Sequence, residues 1–173
     1  MPPKKKNVDN EIRQPKIDKD PFKLAANDFK GEFETLLAAD ENLDINAKDE
    51  YGFSPLLWSI KNGHVEMATL LLSKGADIES SGIGGMRGLH LASANVKENL
   101  VALLLEHGAD PDGLDDAGNT AMHWAAARGI LNIVIRLLAK NADPNIKNKQ
   151  GTTVSSVFTY LACHKRTYVT ICV

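Results

Sequence analysis

Three arrangements in this chain have residue types suited to chemistry. The first is the glycine-dense stretch SSGIGGMRGLHLASA, residues 80–94. Glycines running into a helix can cradle a phosphate, because backbone N–H groups then reach the anion unobstructed. The second is Cys163 beside His164, a thiol next to a base. The third is the set His64, His90, His107, His123 and His164, which offers imidazoles to a metal or a proton. Each fails on spacing. From Gly82 and Gly84, a dinucleotide fingerprint needs glycine at 87, where Arg87 stands, and Gly88 comes one residue late. No Gly-Lys-Ser/Thr follows and no apolar strand precedes. No histidine pair has the His-Glu-x-x-His spacing of a metal helix. Neighbours on a helix point apart, so Cys163 and His164 make a poor nucleophile–base pair. Gly-x-Ser-x-Gly is absent. Acidic residues fall mostly in turns and at helix starts, where capping explains them. No catalytic residue, cofactor, metal site or small-molecule substrate follows from these residues.

The glycines belong instead to a longer pattern. GADIES at 75–80, GADPDG at 108–113 and NADPNI at 141–146 each begin 33 residues after the last. Gly52, Gly85, Gly118 and Gly151 form one column in this register. Leu56, Leu89 and Met122 form a second, Leu71, Leu104 and Leu137 a third, and Met67, Leu100 and Ile133 a fourth. Gly85 is then the turn glycine of a repeated unit.

The unit 49–81 shows what must be built around these positions. DEYG is a turn signal. Ser54 followed by Pro55 reads as a helix N-cap with proline at the first helical position. Asn62 and Gly63 end that helix. A second begins near Val65, with Met67, Ala68 and Leu71 on one face. Gly75 is a left-handed residue closing it, and Asn141 takes the same place later. Neither helix is long enough to be stable alone, so copies must stack and bury their apolar stripes against one another.

GFSPLLWSIKNGHVEMATLLLSKGADIES and GNTAMHWAAARGILNIVIRLLAKNADPNI resemble ankyrin repeats. That family has a turn glycine, Thr-Pro-Leu-His, an Ala-Ala pair, Gly-His, a leucine run and Gly-Ala-Asp. Units 49–81, 82–114 and 115–147 match. Residues 22–48, with their DINAK ending, resemble a degenerate first unit in which Gly31 is out of step by about a residue. The resemblance implies an all-α solenoid of helix-turn-helix units with β-hairpin-like turn fingers. It divides the chain into a disordered basic tail (1–20), a repeat domain (21–147) and a partial or divergent C-terminal repeat or cap (148–173). Hydroxyl and imidazole of Thr-Pro-Leu-His are expected to tie each helix start to adjacent backbone. Thr120 and His123 keep both, and His90 remains in the middle unit. Leu57 replaces the histidine in the first, Arg87 and Gly88 replace Thr-Pro in the second, and Val96 stands where a glycine separates the helices. The unit 82–114 is therefore expected to be the loosest.

Composition narrows the function. With 173 residues, 43% of them apolar, the chain can bury a real core. A net charge of −2 makes nucleic acid an unpromising partner. No apolar run approaches membrane-spanning length, and the N-terminal segment lacks the apolar centre of a secretory signal. Cys163 and Cys172 make no disulfide framework, which points to the cytoplasm. Lys4, Lys5 and Lys6 could act as a weak nuclear-import patch, although a solubilising end explains them more simply. Beyond Thr153 the pattern stops matching. Val154, Val157, Phe158, Leu161 and Ala162 keep helical spacing, and TYVTICV follows. A fold-back cap, a shortened larger solenoid and a changed reading frame all fit.

By the resemblance, a protein partner would meet the turn tips and the exposed side of the first helices. The candidates are Lys48, Glu50, Tyr51, Phe53, Lys61 and Asn62 in the first full unit. Ile83, Met86 and Arg87 follow in the second, Asp116, Asn119 and Arg128 in the third, then Lys147 and Lys149. Tyr51 and Phe53, with Ile83 and Met86, would make one apolar strip, or the aromatics would brace adjacent fingers; both readings stand. Trp58 and Trp124 share a column with Leu91 and are expected to pack rather than to stack bases. The function expected is a non-catalytic protein-interaction scaffold or regulator, the alternative an ankyrin-bearing part of a larger kinase, acyltransferase or channel.

Overall fold

The computed structural model describes residues 19–156. The lysines at 4–6, most of the basic tail, and the stretch holding Val157, Phe158, Leu161, Ala162, Cys163, His164 and Cys172 lie outside the described residues. The helices run in pairs: α1 (Pro21–Ala26) with α2 (Lys30–Ala39), α3 (Pro55–Asn62) with α4 (Val65–Ser73), α5 (Gly88–Ala94) with α6 (Glu98–Glu106), and α7 (Ala121–Arg128) with α8 (Leu131–Ala139). First helices stack in the order α1, α3, α5, α7, and second helices in the order α2, α4, α6, α8. The result is a two-layer solenoid. Its core is the set of repeat columns: Leu56, Leu89 and Met122, then Met67, Leu100 and Ile133, then Leu71, Leu104 and Leu137 are all buried.

Local signals set the helix ends. Ser54 Oγ accepts from the Leu57 N–H, and Pro55 sits in the first turn of α3. Gly63 and Gly129 close α3 and α7 in the left-handed conformation. Gly75 and Asn141 are left-handed, with φ of 88° and 63°, just past α4 and α8. In the middle unit the left-handed position between the helices is held by Val96, with φ of 60°. A β-branched side chain there is crowded against its own carbonyl, which costs on the order of 1–2 kcal/mol.

In the first helical pair Gly31, out of step with the repeat, lies inside α2. The left-handed residue between α1 and α2 is Asp28, with φ of 61°. A short polar side chain tolerates that conformation.

The fingers repeat one turn. Asp49, Gly82, Asp115 and Asn148 each donate their N–H to the carbonyl four residues on, and each accepts from the glycine three residues on. That glycine, at 52, 85, 118 or 151, has positive φ each time. Only at Ser81 and Arg87 does the turn widen to an isolated β-bridge.

Candidate functional site

The fingers and first helices form one wall, and its rigidity comes from bonds between successive units. The Asp116 N–H donates to Gly84 O at 2.9 Å, and the Lys149 N–H to Ala117 O at 3.0 Å, tying finger to finger. Lys48 Nζ reaches Ser81 O at 2.7 Å. His90 uses both ring nitrogens. Nδ1 accepts from the Arg87 N–H, and Nε2 lies 3.0 Å from the carbonyls of both Gly113 and Asn119. Two carbonyls at Nε2 require the proton there. His123 repeats the scheme, taking the Thr120 N–H at Nδ1 and donating from Nε2 to Thr152 O at 3.1 Å. These histidines are clamps from one unit to the next finger. Burial pushes the His90 imidazole below its ordinary range, outweighing the carbonyls of Asn119 and Gly113 that favour its charge.

At the base of the second helices a further ladder runs along the molecule. Asp44, Asp77, Asp110 and Asp143 each cap their own loop by accepting the N–H two residues on. The following polar side chain then reaches forward one unit. Asn46 accepts the Asp77 N–H, Glu79 the Asp110 N–H and Asp112 the Asp143 N–H, at 2.8–2.9 Å.

The finger acids are anchored from the helices. Asp49 Oδ1 accepts from the N–H groups of Tyr51 and Phe53, while Oδ2 takes the Trp58 indole N–H at 2.7 Å. Asp115 holds its finger through Ala117 and Asn119 and takes the Trp124 indole at 2.9 Å. Burial alone would raise the Asp115 carboxyl. The Asn119 N–H, the Trp124 indole, the Asn119 amide and the Ala117 N–H together hold it below the usual carboxylate range. The tryptophans are thus struts between helix and finger.

In the glycine tract most of the turn's N–H groups are bonded within the protein. The N–H groups of Gly82, Gly85, Met86 and Arg87 are spent on Met86 O, Gly82 O, Ile83 O and His90 Nδ1. A Cβ on Gly85 would run into the Asp116 carboxylate and backbone, so the tract packs against an anion of its own.

The predicted surface residues separate into three groups. Lys48, Glu50, Tyr51, Lys61, Asn62, Ile83, Asp116, Arg128, Lys147 and Lys149 are exposed. Met86, Arg87 and Asn119 are half-buried. Arg87 is committed to Glu79 at 2.6 Å and also lies 3.7 Å from Asp110. Asn119 bonds Asp115 and accepts from the Asn148 amide. Phe53 corrects its assignment: it is only 7% exposed. Its ring lies 5.3 Å from that of Trp58, Gly82 packs over it, and the Lys61 ammonium covers both rings. Phe53 is a brace between fingers, whereas Tyr51 beside it is 53% exposed. The Tyr51 phenol is pushed up by its hydrogen bond to Glu50 and by the Glu50 charge. One residue escaped the sequence reading. Leu114 is exposed on the third finger, where the other units carry Lys48, Ser81 and Lys147. Its signal was an apolar residue in a polar column.

Among the described residues no helix is long and apolar enough to cross a membrane. A segment of integrin-linked protein kinase homolog pat-4 from Caenorhabditis elegans is 44% identical over 45 residues, covering 26% of this chain and 10% of that protein. The 85/88 kDa calcium-independent phospholipase A2 of Rattus norvegicus is 44% identical over 64 residues, 36% of this chain and 7% of the enzyme. Acyl-CoA-binding domain-containing protein 2 of Arabidopsis thaliana is 43% identical over 49 residues, 28% of this chain and 14% of that protein. The chain thus matches a small fraction of each relative's length. The model for ankyrin repeats matches residues 6–82 and 80–148. Stacked helical pairs, repeating fingers and imidazole clamps, together with that match over most of the sequence, place the chain in the ankyrin repeat family.

Proposed function

We propose that this chain is a non-catalytic scaffold or regulator that holds a partner protein against its finger tips and the exposed side of its first helices. Ankyrin repeats are a binding architecture, and their stacked units offer an extended wall rather than a reaction pocket. The observation that carries the finer reading is the row Tyr51, Ile83 and Leu114. Three successive fingers each present a large exposed apolar side chain, and the second and third are joined by the Asp116 N–H to Gly84 O bond. The same fingers and first helices expose Lys48, Lys61, Arg128, Lys147 and Lys149, against Glu50 and Asp116. A partner with apolar anchors flanked by acidic side chains fits that surface.

The test is affinity capture followed by a binding assay with the captured protein. A Tyr51→Ala/Ile83→Ala variant should bind about 30-fold more weakly, as expected for the loss of about 2 kcal/mol at a hot spot, with an unchanged melting temperature. Full binding by that variant would sink the proposal. Phe53→Ala is the contrasting control and should lower the melting temperature instead.

A second reading makes the chain the ankyrin portion of a larger protein. The small fraction of each relative that it matches favours it, two of them carrying enzyme names. The full reading frame of the gene decides this. In either case we propose a cytoplasmic location, with the nucleus as the alternative, and subcellular imaging of the tagged protein distinguishes the two.

A further inference from the structure

Trp58 and Trp124 make the same strut, yet their rings keep different company. Lys61 lies three residues beyond Trp58 on α3, and its ammonium sits 4.4 Å from the centre of that ring. Phe53 packs against the same indole at 5.3 Å and shares the ammonium, so the first full unit fills its own aromatic platform. In the third full unit the columns change: Ala127 replaces Lys61 and Asn119 replaces Phe53. Trp124 is half-buried, and Ala127, one turn further along α7, is exposed. Among the described residues no aromatic ring packs on Trp124 and no cation lies over it, Arg128 of the same helix included.

The electrostatics favour a positive guest. An indole has a negative face that attracts cations, more strongly where water is excluded. The Trp124 N–H donates to the Asp115 carboxylate, which its other hydrogen bonds hold in the charged form. That bond polarises the indole towards the anion and enriches the electrons of its ring. Lys61 displays the arrangement within the molecule, on a tryptophan bonded to Asp49 in the same way.

We infer that the Trp124 ring is a docking place for a cationic side chain of the partner protein, arginine above all, and that Lys61 on Trp58 is the chain's own template of the contact. A guanidinium is planar and weakly hydrated, so it leaves water for an aromatic face more readily than an ammonium. The ammonium of Lys61 is tethered beside its ring, which an incoming group is not. The site deepens the partner reading above and rests on it: beside the anchors for Tyr51, Ile83 and Leu114, the partner brings an arginine to α7.

NMR titration of the full chain tests the site without a partner. Two tryptophans give two indole N–H signals, assigned with Trp58→Phe. N-acetylarginine amide should shift the Trp124 signal to saturation and leave that of Trp58 in place. N-acetylcitrulline amide, similar in shape but uncharged, should move neither. Ala127→Lys restores the Lys61 arrangement and should shrink the Trp124 response about fivefold, whereas Ala127→Gln keeps it. A silent Trp124, or an equal shift with the citrulline amide, would overturn the inference. Against the captured protein, Ala127→Lys should bind about tenfold more weakly and Ala127→Gln should bind fully. Equal binding by both variants would overturn it too. Full binding by Tyr51→Ala/Ile83→Ala counts against the finger row alone, so the two failures are told apart.

Discussion

The Trp58 indole donates to the Asp49 carboxylate at 2.7 Å, and Trp124 repeats the bond to Asp115 at 2.9 Å, nine residues apart in each case. The middle unit lacks both partners together, with Gly82 in the acid column and Leu91 in the tryptophan column. A lone buried carboxylate or a lone indole N–H would be costly, so the two are kept or lost as a pair. Without the acid to hold its finger, the middle turn is made with Gly82, Gly84 and Gly85, which is the physical origin of the glycine tract.

A double-mutant cycle tests the strut. Trp124→Phe and Asp115→Asn should each cost about 1–2 kcal/mol, and the double variant should cost less than their sum by about 1 kcal/mol. Strict additivity in urea denaturation would show that the bond carries nothing.

Acid should destabilise the fold through two groups acting in the same direction. Asp115 has a lowered carboxyl, so its contribution is complete above the ordinary range near about 4 and is lost as pH falls through its folded value. His90 is also lowered, so the unfolded chain binds the proton first. Its contribution is complete above about 6.5 and declines as pH falls towards the folded value. The melting temperature should drop between about pH 7.5 and 5.5. His90→Asn should melt lower at the upper end and show a flatter slope. An unchanged slope would remove His90 from the account.

The unit 82–114 carries two correctable faults. Val96 is left-handed where the other full units have Gly63 and Gly129, so Val96→Gly should stabilise by about 1 kcal/mol. Ser93 is buried and its hydroxyl has no hydrogen-bond partner, whereas Ala126 fills the same column one unit on. Ser93→Ala should add about 1 kcal/mol. We propose that this unit opens first in hydrogen exchange and that the two changes slow its exchange. Unaltered exchange across α5 and α6 in the double variant would refute the weak-unit reading.

Two glycines should respond in opposite senses. Gly75 has open space around it but φ of 88°, so Gly75→Val should cost at least about 1 kcal/mol from backbone strain alone. Gly31 lies inside α2 with nothing near its missing Cβ and no positive φ. Gly31→Ala should stabilise by about 0.5–1 kcal/mol. Denaturation midpoints moving the same way would contradict these assignments.

These contrasts mark where the sequence could be read and where it could not. Spacing exposes whatever recurs as a residue type. Ser54 with Pro55, the glycine column and the leucine columns were legible for that reason, and so was the helical clamp at His90 and His123. The loop ladder was not, because its acceptors are Asn46, Glu79 and Asp112, three residue types doing one job between loops distant in sequence. Phe53 was ambiguous because a turn aromatic has no periodicity to point it inward; only Gly82 and Lys61 closing over it decide its side. Arg87 looked available at a finger base until Glu79 and Asp110 met it. The turn of the first pair was not legible because it is made at Asp28, outside the 33-residue count.

The imidazole clamps are not distributed evenly. His90 and His123 fasten their units to the finger ahead, but Leu57 stands in that column in the first full unit, and a hydrocarbon cannot grip a carbonyl. Tension along the axis would consequently find a seam between α3 and the finger ahead of it. Pulled from its ends in an optical trap, the molecule should part there at lower force than between α5 or α7 and the fingers ahead of them, giving the stack a mechanical fuse.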